Sequence, residues 1–447
     1  MKNKTIHMTT LGCDKNTIDS QLMLGLIQEK NYSIEEDPQK AEIIIVNTCC
    51  FIQEAKEQSI DYVLEYAQHK KSGICKILIV AGCMAERYHT ELAEEIPEID
   101  GFLGVGHFDD IIDLLNNFEG SDHGKYTGDV DKESFSQVKR YIPKGSVTAF
   151  MRISEGCDHG CTYCIIPKIR GKYRSRKSQD IFNELSYLQE NGIKEIILIG
   201  QDIAPYGQDL NEGFDLPSLL EEIAKAYDFE WIRMMYLYPE GITQRLLDVV
   251  KKVDSICNYF DIPLQHTVDG ILKRMGRKMS LEKIKDISTL IRKSLPDAVL
   301  RTSIITGFPG ETKSDHLALL EAIKELKFDH LGAFKYSREE NTPAASFDDQ
   351  ISEDTKDERY KEIMMTQQEI SLEKNQLHVG QVLKVLIEDL DEESYLGRCY
   401  GDAPEIDGSV IVDSQGETLA IGSFYPVKIV NALEYDLIGD IENEFTK

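Results

Sequence analysis

The sequence predicts a multidomain α/β protein in which a doubly wound sheet, a partial barrel and a small antiparallel barrel follow one another. Strand-like apolar runs alternate with amphipathic helical stretches through most of the chain, and short alternating strands replace them near its end. A chain of 447 residues is also too long for one hydrophobic core. We predict an N-terminal domain over 1–118, a linker over 119–144, a (βα)6 barrel over 145–375 and a C-terminal domain over 376–447.

The N-terminal domain is predicted to be a flavodoxin-like, doubly wound sheet. The segments between its strands, such as TIDSQLMLGLIQEK, have helical periodicity, and strands that alternate with helices favour parallel pairing. Its predicted strands are TIHMTTLG, AEIIIVNT and KILIVAG. The polar, glycine-containing stretch FEGSDHGKYTGDVDKESFSQ then indicates a linker or long loop.

The middle and the end of the chain predict two different barrels. Six strand-like segments with helices between most of them favour a partial TIM-type barrel, with its active site at the C-terminal strand ends. These segments are SVTAFMRIS, KEIILIG, WIRMMYL, NYFDIPL, AVLRTSIITG and HLGAFKYS. After a charged helix, a small antiparallel barrel of OB-like size is predicted from VLKVLIED, SYLGRCY, GSVIV, FYPVKIVNA and LIGDI.

Composition and charge narrow the class of protein. Hydrophobic residues make up 41% and charged residues 29%, which is typical of globular proteins in water. No apolar run reaches the roughly 18–20 residues that span a bilayer, and MKNKTIHMTTLGC lacks the apolar stretch of a signal peptide. We therefore expect a cytoplasmic protein with no membrane partner. The net charge of −28 disfavours non-specific binding to nucleic acid and favours basic partners.

Ten cysteines need an explanation other than disulfides, because the cytosol keeps thiols reduced. Cys157, Cys161 and Cys164 lie together in CDHGCTYC, directly after the first predicted barrel strand. A zinc site would need a fourth ligand, and no nearby CxxC supplies one. Three thiolates on a 4Fe–4S cluster leave one iron free for another ligand. We favour a cluster here over a chance group or three ligands of a zinc ion.

Cys13, Cys49 and Cys83 are distant in sequence, but each directly follows a predicted strand of the N-terminal sheet. The C-terminal ends of parallel strands lie along one edge, where doubly wound folds bind ligands, so these thiols could meet at one metal centre. Buried structural cysteines are an equally good explanation from geometry alone. Cys75 begins its strand and is left out, and Cys50 beside Cys49 complicates the choice of ligand.

Four longer motifs contain the candidate cysteines: LGCDKNTIDSQ, VNTCCFIQEAKEQSI, AGCMAERY and EGCDHGCTYCIIPKIRGKYRSR. With them, the chain resembles the methylthiotransferase family of radical S-adenosylmethionine (SAM) enzymes over essentially its whole length. The resemblance implies a radical SAM barrel, a C-terminal TRAM domain and two 4Fe–4S clusters. It assigns Cys157, Cys161 and Cys164 to the cluster that binds SAM, and Cys13, Cys49 and Cys83 to a second cluster that supplies sulfur. It also implies that SAM serves both as methyl donor and as radical source, with all six cysteines catalytic.

Polar and aromatic residues near predicted strand ends are candidates for SAM or substrate contacts. Tyr163 matches the position that packs on adenine in radical SAM enzymes, although a role in the core of the barrel mouth fits equally well. His266 could equally be a hydrogen-bonded loop histidine. The candidate cofactor-binding residues are Tyr163, Gln201, Asp202, Gln265, Arg301 and Ser303.

Two branches of the family differ in substrate: one modifies adenosine in transfer RNA, and the other modifies the β-carbon of an aspartate in small-subunit ribosomal protein twelve. LGCDKNTIDS, PLQH and the acidic pair Glu339 and Glu340 resemble the protein-modifying branch. From Leu377 to Lys447 there are 15 acidic and four basic residues, a net charge of −11. Such a domain should repel RNA and attract a basic protein, so direct RNA binding is not expected.

A basic stretch after the cysteine triplet does not separate the branches. It could be a solvated loop, a nucleic-acid contact or a set of arginines that binds the carboxylate of SAM or of the substrate aspartate. Its residues are Lys168, Arg170, Lys172, Arg174, Arg176 and Lys177.

The expected partners are ribosomal protein twelve, or the subunit that carries it, and an electron donor such as flavodoxin or ferredoxin. The first alternative is a transfer RNA methylthiotransferase with the same chemistry. The second is an iron–sulfur carrier or assembly scaffold, which would hold clusters without cleaving SAM.

Overall fold

The computed structural model describes residues 4–30, 32–118, 124–132, 139–210, 213–391 and 394–442. Its three parts are an N-terminal parallel sheet, an open parallel barrel and a small closed barrel. Within the described residues, none of the helices combines the length and the apolar character needed to cross a membrane.

The N-terminal part is a parallel sheet with helices packed on it. Its elements are β1 (Thr5–Thr10), α1 (Asp14–Glu29), β2 (Ser33–Ile34), β3 (Ile43–Thr48), α2 (Gln53–Ser72), β4 (Ile77–Gly82), α3 (Cys83–Glu95), β5 (Gly101–Leu103), α4 (Ile111–Asn116) and β6 (Gly124–Tyr126). The spatial order is β2-β1-β3-β4-β5-β6. Its first five strands follow the flavodoxin-like order, which confirms the predicted doubly wound fold. All six residues of β3 are buried, as expected for a strand covered on both faces.

The strand β6 lies within the stretch that the sequence analysis assigned to a linker. It pairs in parallel with β5 at the edge of the sheet. Its three residues, GKY, carry no hydrophobic pattern, so their extended conformation depends on the neighbouring strand. Residues 119–123 and 133–138 of the predicted linker lie outside the described residues.

The central part is a six-stranded parallel barrel that is left open. Its elements are β7 (Thr148–Arg152), β8 (Ser154–Glu155), α5 (Ile166–Ile169), β9 (Arg174–Ser175), α6 (Ser178–Glu190), β10 (Glu195–Ile199), α7 (Leu216–Ala226), β11 (Trp231–Met234), α8 (Gln244–Lys252), β12 (Ile256–Asp261), α9 (Asp269–Arg274), α10 (Leu281–Ser294), β13 (Val299–Thr306), α11 (Lys313–Leu326) and β14 (His330–Lys335). The order β14-β13-β12-β11-β10-β7 confirms the partial barrel. The two-residue strands β8 and β9, which the sequence pattern does not predict, pair in antiparallel fashion on either side of the cysteine loop.

The C-terminal part is a closed five-stranded barrel that follows a long helix. Its elements are α12 (Glu353–Gln376), β15 (Val382–Asp391), β16 (Ser394–Arg398), β17 (Val410–Asp413), β18 (Phe424–Ala432) and β19 (Leu437–Ile441). Its closed order is β15-β16-β17-β19-β18. The prediction of an antiparallel barrel is wrong for one pair, because β17 and β19 are parallel. Five strands cannot alternate in direction all around a closed barrel, so one neighbouring pair must be parallel.

The two outer parts lie at opposite ends of the central barrel. The N-terminal sheet lies at the C-terminal strand ends, where Asp19 pairs with Arg152, the last residue of β7. The C-terminal barrel lies at the N-terminal strand ends, where its Arg398 pairs with Glu195, the first residue of β10. One apolar cluster extends through the lumen, from Ile6 of β1 to Leu386 of β15.

A buried ion cluster fastens the C-terminal barrel to the central one. The Glu195 carboxylate lies 2.9 Å from Arg233 Nε and 2.6 Å from Arg398 Nη2, and its side chain is fully buried. Burial alone would raise the pKa of Glu195, but the two guanidinium groups lower it. Arg233 also donates to the Tyr400 carbonyl oxygen, at 2.7 Å. The interface therefore depends on three charged groups removed from water.

We predict that Arg398→Met destabilises the chain by about 3 kcal/mol, because the buried Glu195 carboxylate loses one of its two cations. This loss is at the low end of the range for a broken buried ion pair, because Arg233 still pairs with Glu195. The free energy of unfolding in urea measures the effect.

Lys384→Met is the matched control, since it removes a cation of the same interface that pairs with the part-exposed Glu230. It should cost less than about 1 kcal/mol, as exposed ion pairs do. Equal losses in the free energy of unfolding for the two variants would contradict the claim that the buried Glu195 carboxylate depends on Arg398.

Candidate active site

The N-terminal cysteines lie side by side at the C-terminal edge of the sheet. Register pairs Thr10 with Asn47 and Thr48 with Gly82, so the loops after β1, β3 and β4 leave the sheet together. Gly12 has φ +94°, and a Cβ there would lie 2.6 Å from Cys49 Cβ. The glycine therefore lets the Cys13 loop approach Cys49 closely. The structure thus brings together the loops of the predicted set Cys13, Cys49 and Cys83.

Asn16 connects all three of these loops. Its Nδ2 donates to the carbonyl oxygens of Leu11, at 2.8 Å, and Thr48, at 3.0 Å. Its Oδ1 lies 4.0 Å from Cys83 Sγ, and the residue is fully buried. Asn16 is not among the functional residues that the sequence predicts. The available signal was its place in LGCDKNTIDS, three residues after Cys13, where Asp19 and Ser20 are buried as well.

Two further N-terminal cysteines have different settings. Cys50 is fully buried in the apolar cluster that also contains Cys83, and burial raises the pKa of its thiol to about 11. Cys75 lies before β4, and its Sγ donates to the Ile77 carbonyl oxygen at 3.4 Å. The position of Cys75 at the start of β4 agrees with its exclusion from the predicted set.

The central triplet lies in the loop between β8 and α5, at the C-terminal mouth of the barrel. The Cys157 amide donates to the Gly171 carbonyl oxygen at 3.2 Å, and the Cys164 amide to that of Cys161 at 3.1 Å. The Thr162 amide donates to the Met275 carbonyl oxygen at 2.9 Å, which fastens the loop to the segment after α9. This is the position that the sequence predicts for an active-site loop.

The donor set of this loop fits an iron–sulfur cluster. Burial raises the pKa of Cys157 to about 11 and that of Cys164 to about 12, so without a cation both groups are neutral thiols. Bound iron would supply the positive charge that holds them as thiolates. In the described part of the chain, no three His, Cys, Asp or Glu side chains have the arrangement of a single bound metal ion. The fit to a cluster rests on the donors and their place in the fold.

Asp202 holds the cysteine loop through a stack of side chains. Its Oδ2 lies 2.7 Å from Nε2 of His159, and the His159 ring stacks on Tyr238 with centroids 3.6 Å apart. Arg277 lies over the same Tyr238 ring, 4.0 Å from its centroid, and its Nη1 is 4.0 Å from Cys161 Sγ. Asp202, a predicted SAM contact, therefore supports the loop in this structure, and a direct contact with SAM stays a prediction.

Tyr163 and Gln201 also lie near this loop. Tyr163 packs edge-on against Phe308, with centroids 6.5 Å apart, and burial raises the pKa of its phenol well above the usual range. Gln201 Nε2 donates to Glu155 Oε1 at 2.6 Å. Their predicted contacts with SAM are untested.

Gln265 lies in the loop after β12, and Arg301 and Ser303 lie in β13. Gln265 has φ +71°, and its amide donates to the Ser303 carbonyl oxygen at 2.8 Å. Arg301 and Ser303 share one face of β13, because alternate residues of the strand are part-buried. Arg301 is already engaged, at 2.9 Å from Asp261 and at 3.2 Å from Asp407 of the C-terminal barrel. Roles for these three residues in binding SAM also stay predictions.

A buried charge network connects the two cysteine sites. Arg170 is 1% exposed, and its Nη1 donates to both Glu155 oxygens, at 3.3 and 3.2 Å. Arg152 donates to Glu155 at 2.8 Å and to Asp19 at 2.6 Å. Burial alone would raise the pKa of Glu155, but Arg170 and Arg152 lower it to about 2. None of Glu155, Asp19 and Arg152 is among the functional residues that the sequence predicts.

The basic stretch after the triplet is therefore only partly a solvated loop. Arg170 and Arg176 are buried, and Arg176 lies 2.6 Å from Glu184. None of the three interpretations of this stretch describes Arg170 and Arg176, because their partner carboxylates belong to the chain itself. Lys172 remains exposed.

Family models match all three parts of the chain. Residues 5–104 match the uncharacterized protein family UPF0004, residues 151–323 the radical SAM superfamily and residues 379–441 the TRAM domain. Among solved structures, a radical SAM methyltransferase, TsrM, from Kitasatospora setae aligns with a TM-score of 0.58 and 13% identity, covering 77% of each chain. That likeness supports the fold.

Curated relatives match nearly the full length. Two of them, both called ribosomal protein uS12 methylthiotransferase RimO, come from Clostridioides difficile and Clostridium novyi. The first is 47% identical over 98% of both chains, and the second is 48% identical over 99% of both. The chain belongs to the RimO family of radical SAM methylthiotransferases.

Proposed function

We propose that this chain transfers a methylthio group to the β-carbon of an aspartate in ribosomal protein uS12. Full-length relatives carry the name of a uS12 methylthiotransferase, and the three parts of the chain match their families. The observation that carries the proposal is the placement of two cysteine triplets at facing strand ends, with a buried charge network between them.

Each triplet is assigned one 4Fe–4S cluster. Cys157, Cys161 and Cys164 would hold the cluster that binds SAM, and Cys13, Cys49 and Cys83 would hold the second. When bound, the clusters and SAM supply a 5′-deoxyadenosyl radical, a methyl group and sulfur. The chain's own side chains fix the loops: Asn16 holds those of the second site, and the stack on Tyr238 holds that of the first.

The N-terminal sheet closes over the barrel mouth, which would keep water from a reactive intermediate. Glu339, after β14, lies 2.7 Å from Lys56 and 2.8 Å from Arg87 of the N-terminal domain. Glu340 lies 3.3 Å from Arg87. The acidic pair that resembles the protein-modifying branch thus contributes to the contact between domains.

The outer surface of the C-terminal barrel fits a basic partner. Its basic residues are largely engaged: Arg398 is buried, Lys384 pairs with Glu230 and Lys428 lies 3.8 Å from Glu442. A ribosomal protein is basic because it binds RNA, so it would be attracted here. Among the described residues, the exposed acids of this surface are Asp389, Asp391, Glu405, Asp413, Glu417 and Glu434.

This acidic surface is distant from the cysteines, because the C-terminal barrel lies at the opposite strand ends. The eight residues of β13 measure about 26 Å, which is comparable to the size of a small domain. A whole ribosomal protein is large enough to contact both ends of the barrel. The acidic surface would therefore orient the substrate and take no part in the chemistry.

Two further assignments follow from this activity. Radical cleavage of SAM needs an electron, so the chain would require a donor such as flavodoxin or ferredoxin. Its ribosomal substrate would place it in the cytoplasm.

Deletion of the gene in its host should remove the methylthio group from uS12 and leave transfer RNA nucleosides unchanged. Mass spectrometry of uS12 peptides and of digested transfer RNA measures both. Loss of the modification from transfer RNA, with uS12 still modified, would contradict the proposal in favour of the transfer RNA branch.

The double substitution Asp413→Lys/Glu417→Lys should raise the KM for uS12 several-fold and leave kcat nearly unchanged, because both residues are exposed and distant from the cysteines. Steady-state assays at two salt concentrations measure the effect, which added salt should weaken.

Glu282→Lys/Asp286→Lys is the matched control, since it makes the same charge change at exposed positions of α10. An equal rise in KM for this control would show a general effect of net charge and would contradict docking on the C-terminal barrel.

A further inference from the structure

Arg170 lies where the two cysteine sites meet. It follows Cys164 by six residues, at the end of α5, and its Nη2 is 3.9 Å from Cys83 Sγ. Residues 165–170, here called the bridging segment, therefore connect the last cysteine of the central triplet to a cysteine of the N-terminal set. Fully extended, six residues cover about 20 Å, which limits the distance between the Cys164 and Arg170 Cα atoms.

The bridging segment is packed into the N-terminal domain. Ile165 is 2% exposed and Ile169 is fully buried, and both belong to the same apolar cluster as Cys83 and Met84. Burial of these two apolar side chains stabilises the contact. The end of the barrel loop is thereby fastened to the first turn of α3, which begins at Cys83.

The Arg170 side chain is held from several directions. Glu155 accepts two hydrogen bonds from Nη1, while Nη2 donates to Asn16 Oδ1 at 2.8 Å and to Asp19 Oδ2 at 3.4 Å. These partners come from both domains. They orient the guanidinium so that Nη2 also faces Cys83 Sγ.

A cationic hydrogen-bond donor beside a cluster ligand favours the reduced form of the cluster. A hydrogen bond from a guanidinium to a thiolate sulfur stabilises negative charge, and a reduced cluster carries one more negative charge than an oxidised one. Hydrogen bonds to the sulfurs are among the factors that set cluster reduction potentials.

We propose that Arg170 is a positioning residue that holds the Cys83 ligand and raises the reduction potential of the second cluster. The proposal rests on the function above for one step only, the assignment of Cys83 as a cluster ligand. Through the bridging segment, the same residue fixes the position of one cysteine site relative to the other.

The test uses the full chain with Cys157, Cys161 and Cys164 changed to Ala, so that only the second cluster forms on anaerobic reconstitution. Redox titration followed by electron paramagnetic resonance compares this parent with its Arg170→Gln and Arg170→Lys derivatives. At the midpoint potential of the parent, Arg170→Gln should lower the ratio of reduced to oxidised cluster about tenfold, the effect of losing one charged hydrogen bond. For Arg170→Lys, which keeps the charge, this ratio should lie between those of the parent and of Arg170→Gln.

Arg174→Gln is the matched control, since it removes the same charge four residues away, where Arg174 donates to the backbone oxygens of Arg170 and Lys172. Because Arg170→Gln leaves Glu155 short of a cation, Arg170→Gln/Glu155→Gln is measured as well. Its potential should also fall, by less than in Arg170→Gln because a negative charge is lost too, and with less loss of stability.

Unchanged potentials in both Arg170→Gln and the double variant, or an equal shift in Arg174→Gln, would overturn the role of Arg170. A parent without iron would overturn the assignment of Cys83 as a ligand, and with it the proposed second cluster.

Discussion

Parallel strand pairing is the constraint on which the site depends. A parallel sheet brings the C-terminal ends of its strands to one edge, so cysteines that are tens of residues apart become neighbours. The register of β1, β3 and β4 does this for the N-terminal cysteines. The same rule places the central triplet at the mouth of the barrel, because it follows β7 and β8. The C-terminal edges of the two sheets thus face each other and bring the two cysteine sets to one region of the molecule.

Buried charge holds these two edges together. Arg152 and Arg170 of the barrel are balanced by Glu155 of the barrel and Asp19 of the N-terminal domain. Such groups are costly to remove from water, and each is tolerated because its partners are in place. At the opposite end of the barrel, Glu195 and Arg398 form a buried ion pair of the same kind. Buried ion pairs and apolar packing therefore both hold the two outer domains on the barrel.

The sequence was sufficient to predict the three architectures and the strands that precede each cysteine, because long apolar runs identify buried strands. It was insufficient for β2, β5, β6, β8 and β9, which have two or three residues and exist because a neighbour pairs with them. Closing five strands into a barrel requires a parallel pair, which here is β17 with β19. Local sequence patterns do not indicate such a pair.

The environment of the side chains was the harder part to predict. Arg170 belongs to a basic stretch that fits a solvated loop, and only the fold shows that it is buried between two carboxylates. Arg301 follows the expected strand pattern, yet its partners Asp261 and Asp407 come from distant parts of the chain. Burial and pairing of this kind arise from tertiary contacts, so sequence spacing does not reveal them.

The central claim is that the chain builds two separate cluster sites. Iron and sulfide analysis of reconstituted protein tests it most directly, on the intact chain and on two variants, one with Cys157, Cys161 and Cys164 changed to Ala and one with Cys13, Cys49 and Cys83 changed to Ala. Two independent cubes predict about eight irons for the intact chain and about four for each variant. A variant that loses all of its iron while remaining folded, or an intact chain with about four irons, would contradict the claim.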